Sequence, residues 1–113
     1  MTEKQIISWI FLAIALATNT NPTDINGISS VADGINHAVP TNKELQTSID
    51  WLSKNGLIIQ HNKNYELTDK GKLEYETASE HSNKLLETWE ILEKLLCNYG
   101  DLLPPQAPER NSR

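Results

Sequence analysis

The sequence predicts a mainly α chain with a small β-hairpin, closed by a long C-terminal helix. Three stretches carry that prediction. Ile6 to Ala17 is apolar at every position but Ser8. Thr41 to Lys72 reads as a capped helix, two short strands around a polar turn, and the start of another helix. Tyr75 to Tyr99 carries a seam at alternating steps of three and four residues.

Thr2 supplies an N-cap for the first helix, with Gln5 in the capping-box position. Three readings compete for the apolar run that follows. A transmembrane helix needs about 20 apolar residues, and this run is shorter. A signal peptide suits the length, and Ala15-Leu16-Ala17 resembles a cleavage site, but Glu3 cancels Lys4 in the n-region. The favoured reading is a helix buried on nearly all sides. Ile6, Ile10, Ala13 and Ala17 line one stripe; Trp9, Leu12 and Leu16 a second; Phe11 and Ile14 a third. A three-helix core covers one side of such a helix, so a further element must cover the rest.

Thr18 to Pro22 is a turn. Thr23 or Asp24 caps a second helix whose apolar set is Ile28, Val31, Ala32 and Ile35. Ile35 to Pro40 leads into a third helix, N-capped by Thr41 with Glu44 completing a capping box. Leu45, Ile49 and Leu52 face inward. With Asn55 as C-cap, Gly56 falls at C′ and Leu57 at C″ against Leu52, the pattern of a Schellman end. Leu57 to Gln60 is a strand. His61 to Asn64 is a polar turn whose asparagines tolerate positive φ. Tyr65 to Leu67 returns, and Thr68 caps the next helix.

That helix is expected as one unit over about 69–99. Its seam is Tyr75, Ala78, Ser82, Leu85, Trp89, Leu92, Leu96 and Tyr99. Leu86, Ile91 and Leu95 widen the seam to a face. The glutamates mostly lie off it, as on a solvated helix face. From Asp101 the chain changes character: Pro104, Pro105 and Pro108 among polar residues predict a disordered tail over 101–113. Residues 1–100 are then one domain with a modest core.

The net charge is −5, so the bulk field does not draw polyanions. The distribution is uneven. Residues 1–40 set Glu3, Asp24 and Asp33 against Lys4, a balance of −2. Residues 41–72 set five lysines against Glu44, Asp50, Glu66 and Asp69, a balance of +1. Residues 73–113 set eight acids against Lys84, Lys94, Arg110 and Arg113, a balance of −4. Both arginines lie in the tail, which counts against tight base readout, since Arg to guanine is the commonest specific contact.

Leu45, Leu52, Asn55-Gly56-Leu57-Ile58 and Tyr65-x-Leu67-Thr68-x-x-Gly71 resemble the second half of a winged helix-turn-helix domain, of the MarR-like and PadR-like bacterial kind. The resemblance covers roughly a quarter of the chain and is a fold pattern before it is a functional one. It implies that the third helix is a recognition helix and the hairpin a wing. The run Asp33 to Thr41, with Glu44-Leu45, also looks like a segment of small uncharacterised bacterial proteins, and implies no function.

On that resemblance the expected partner is double-stranded DNA. The outward set of the third helix is Asn42, Lys43, Gln46, Thr47, Asp50 and Lys54. Asn42 and Gln46 suit adenine, and Lys43 suits guanine or phosphate. Lys63 at the wing tip meets phosphate, with Lys54 and Lys70 on the flanks. Asp50 on the same face repels the backbone. The apolar surplus on helices one and four points to a homodimer through Trp9, Leu85, Trp89, Leu92, Leu96 and Tyr99. The expectation is a small dimeric transcriptional regulator. The rival is a winged-helix protein-protein interaction module without DNA binding, favoured by the low charge of helix three and the large apolar face.

No catalytic residue, cofactor or metal is expected. His37, His61 and His81 show no ligand spacing with one another or with Cys97. There is no Gly-rich phosphate loop and no nucleophile elbow. The single cysteine excludes an intrachain disulfide and fits a reducing cytoplasm. Cys97 is expected as a buried thiol on a helix.

Overall fold

The first helix is the spine of the fold. In the computed structural model, which describes residues 1–99, α1 (Glu3–Ala17) is buried at every position from Ile7 to Ala15. Thr2 and Gln5 form the expected capping box. The other elements are α2 (Ile25–Asn36), α3 (Asn42–Lys54), β1 (Ile58–His61), β2 (Asn64–Leu67), α4 (Asp69–Glu80) and α5 (Leu85–Cys97). The protein is mainly helical with one two-stranded antiparallel hairpin. The tail expected over 101–113 lies outside the described residues. Among the described residues, no helix is long and apolar enough to cross a membrane.

The local chemistry around α3 follows the sequence closely. Thr41 Oγ1 accepts from the Glu44 amide at 3.0 Å, and Glu44 Oε1 accepts from the Thr41 amide at 2.9 Å. At the other end the Leu57 amide bonds to the Leu52 carbonyl at 2.9 Å and the Gly56 amide to the Ser53 carbonyl at 3.0 Å. These are the two bonds of a Schellman end. Gly56 sits at φ +71°, a conformation that a Cβ disfavours. In the hairpin His61 pairs with Asn64. Asn62 takes φ +58°, which a two-residue hairpin turn needs at its first central position.

Two local features escaped sequence reading. Thr23 and Tyr65 exchange a pair of backbone hydrogen bonds at 3.1 and 2.7 Å, adding a one-residue third strand to the hairpin. The cap of α2 is therefore Asp24, whose Oδ1 accepts from the Gly27 amide. His37, and not a glycine, ends α2 in the left-handed region.

The single helix expected over about 69–99 is two helices. The chain leaves helical geometry between His81 and Lys84. Ser82 Oγ accepts from the Lys84 amide at 2.9 Å, and Lys84 is extended at ψ 130°. Ser and Asn compete with the helical backbone in this way. An unbroken helix would run about 46 Å, beyond the longest extent of the fold, 37 Å. The break turns α5 back along α1, so α1 packs against α2, α3 and α5 together.

That return uses most of the residues expected at a dimer interface. Trp9, Leu92 and Leu96 are buried inside one chain. Burying a large apolar side chain contributes about 1.5–3 kcal/mol, so this packing is a main support of the fold. Trp89 lies 6.3 Å from Trp9, ring centre to ring centre. Its Nε1 donates to the Gln5 carbonyl and to Ser8 Oγ, both at 3.0 Å. Trp9 Nε1 donates to the Ala32 carbonyl at 2.9 Å, fastening α1 to α2. Of the expected dimer residues only Leu85 is exposed, beside Leu86.

Candidate nucleic-acid interface

Helical spacing divides α3 into two faces. Leu45, Ser48, Ile49, Trp51 and Leu52 are buried, while Asn42, Lys43, Gln46, Thr47, Asp50 and Lys54 are exposed. Every residue expected to face outward does so. The buried arc is wider than expected, because Ser48 and Trp51 join it. Ser48 lies three residues after Leu45 and four before Leu52, so its angle places it inside although its chemistry suggests otherwise.

The exposed face holds a mixed set of groups. Gln46 Nε2 donates to Asp50 Oδ1 at 3.1 Å, so the amide expected to read adenine is paired with the carboxylate beside it. Asn42, Lys43 and Thr47 carry no such partner among the bonds observed in α3. At the hairpin, Lys63 is exposed next to Asn62. The tip is held by Gln60 Nε2, which donates to the Asn62 carbonyl at 2.7 Å. Across the strands His61 Nε2 and Glu66 Oε2 lie 3.1 Å apart.

Lys70 departs from its expected role on the flank. Its Nζ donates to the Asn55 carbonyl at 3.1 Å and stands 4.8 Å from the Tyr99 ring centre. Thr68 Oγ1 adds a bond to the Gly56 carbonyl at 2.6 Å. Both groups neutralise carbonyls at the exit of α3, where the helix dipole is negative. Gly71 makes this docking possible: a Cβ there would stand 2.1 Å from the Leu57 carbonyl oxygen.

Behind α3 a second cluster holds the helix in place. Trp51 meets Tyr99 edge-on at 6.0 Å, and Lys4 Nζ lies 5.4 Å over the Trp51 ring. The Tyr99 hydroxyl donates to the Glu74 carboxylate. Burial, and then the Glu74 hydrogen bond and charge, push the Tyr99 phenol up to about 12. Tyr99 thus ties the end of α5 to α3 and α4 within one chain. Trp51 and Glu74 were missed by sequence reading; the buried-arc angle indicates Trp51, but nothing local indicates Glu74.

Cys97, the last residue of α5, is exposed and not buried as expected. Among the described residues, no three His, Cys, Asp or Glu side chains gather as a metal site requires. No family model, curated protein or solved structure matches the chain.

Proposed function

We propose that the chain is a winged-helix DNA-binding protein, a small transcriptional regulator of the cytoplasm. One observation carries the reading: α3, closed by its Schellman end, presents an exposed polar face beside a hairpin whose exposed tip is Lys63. The Thr23–Tyr65 bridge supports it by fixing the hairpin to the start of α2. In this reading α3 enters the major groove, Asn42 and Thr47 meet base edges, and Lys43, Lys54 and Lys63 meet phosphates. Lys70 and Gln46 are held by intramolecular bonds and act indirectly.

A second copy would use Leu85 and Leu86, which are 40% and 60% exposed. The buried seam is already occupied. A dimer through α5 would bring two copies of α3 to one duplex.

The competing reading, a winged-helix interaction module, is favoured by the Gln46–Asp50 pair and by the exposed leucines of α5. Retention of a random duplex pool at about 50 mM salt separates the two, since a DNA-binding protein keeps non-specific affinity there. Failure to retain any duplex under those conditions would falsify the regulator reading.

A further inference from the structure

Asp50 stands on the exposed face of α3, between Lys43 and Lys54. Its Oδ1 accepts from Gln46 Nε2 at 3.1 Å. A carboxylate only accepts, so the Gln46 amide turns its NH2 group to Asp50 and holds that carboxylate from one side. Among the described residues the second Asp50 oxygen has no hydrogen-bond or ion-pair partner. Lys54 lies four residues on, the spacing at which helical ion pairs form, yet the two do not pair. One oxygen of Asp50 therefore stays open to whatever meets α3.

A carboxylate on a face set against DNA is repelled by phosphates and by most base edges. In the major groove guanine presents the acceptors N7 and O6, and thymine presents the acceptor O4. Adenine presents its N6 donor beside the acceptor N7. Cytosine presents the N4 amino group as a donor, with no acceptor on its own edge. A group that only accepts is matched by cytosine and opposed, wholly or in part, by the other three bases.

We infer that Asp50 is a specificity-determining residue: its open oxygen accepts from the N4 amino group of a cytosine, and Gln46 positions the carboxylate for that contact. The inference rests on the reading of α3 as a DNA-recognition helix, and adds to it a base that the helix selects. It also gives the acid on that face a use. Its charge weakens binding to every duplex, and least where a donor meets it, so it discriminates by repulsion as well as by attraction.

The wild-type chain is incubated with a random duplex pool at about 50 mM salt, where non-specific affinity survives, and the retained duplexes are sequenced. One position is expected to be enriched in a C·G pair. Fluorescence anisotropy then compares the selected duplex with the three that carry another base there. Each replacement is expected to weaken binding about tenfold. Asp50→Asn is expected to bring the four bases within about twofold, and to raise affinity most for the duplexes that lack the cytosine. That loss of preference separates Asp50 on the cytosine from a lysine on the guanine of the same pair. Gln46→Ala keeps the carboxylate but releases it, and is expected to reduce the preference to about threefold with cytosine still first. Both side chains are exposed, and thermal melts of the variants record that the fold is intact. Retention of no duplex overturns the regulator reading and this inference with it. Retained duplexes without an enriched C·G pair, or a cytosine preference that survives Asp50→Asn, overturn the role of Asp50 and leave the regulator reading standing. A preference that stays at full strength in Gln46→Ala removes Gln46 as the positioning residue.

Discussion

The indole N–H of Trp89 reaches the hydroxyl of Ser8 at 3.0 Å, across 81 residues of chain. Ser8 is the one polar residue in the apolar run of α1, and it is fully buried there. Its hydroxyl accepts from Trp89 and donates to the Lys4 carbonyl. The pair marks where α5 crosses α1 and explains why that run is interrupted.

Trp89→Phe keeps most of the ring and removes the donor. The expected cost is about 1 kcal/mol, which lowers the melting temperature by several degrees in a domain of this size. Ser8→Ala is expected to cost less, because the Gln5 carbonyl still accepts from Trp89. Thermal melts of the two variants check the order.

Gly56→Val is expected to destabilise by more than about 1 kcal/mol, since a β-branched residue is poor at φ +71°. Gly56→Asn should cost less, because Asn tolerates the left-handed region. Urea midpoints that are equal for wild type and Gly56→Val would remove the strain argument.

Leu92→Asp and Leu86→Glu separate folding from association. Leu92 is fully buried against the chain's own core, so an aspartate there is expected to unfold the protein. Leu86→Glu should keep the monomer folded, shift sedimentation from dimer to monomer, and lower the melt only by the lost association. A wild type that sediments as a monomer at high micromolar concentration sinks the dimer.

Lys63→Ala should weaken all duplexes alike and reduce the salt slope of binding. Asp50→Asn should do the opposite, since it removes the carboxylate from the exposed face of α3. Fluorescence anisotropy over a salt series measures both. Unchanged affinity in both variants would exclude this face as the contact surface.

Tyr99 makes stability sensitive to alkali. Its phenol is pushed from 10.0 to about 12 in the fold, by burial first and by Glu74 second. The folded state therefore favours the neutral phenol. That contribution is complete below 10.0 and is lost as pH rises through about 12. A tyrosinate absorbance titration should show one phenol ionising near 12, and Tyr99→Phe should remove that component.

Caps and turns were legible from sequence because their hydrogen bonds close within about five residues. Thr2 with Gln5, Thr41 with Glu44, the Gly56 exit of α3 and the left-handed Asn62 all depend on neighbours a reader can count. The same holds for the outward set of α3, since helical spacing alone assigns a face. The identity of what covers a face is a different matter. Trp9, Leu92 and Leu96 read as surplus apolar surface, and such surface can be buried against a partner or against the chain itself. The turn at Ser82 and Asn83 decided that in favour of α1, by folding α5 back inside the extent of the domain. Glu74 under Tyr99 and the donor of Trp89 on Ser8 likewise exist only once distant helices meet. Hydrogen bonding within a turn follows from local backbone geometry. The partner of a buried polar side chain is set by whichever segment packs over it, up to 84 residues away in the Trp89–Gln5 bond.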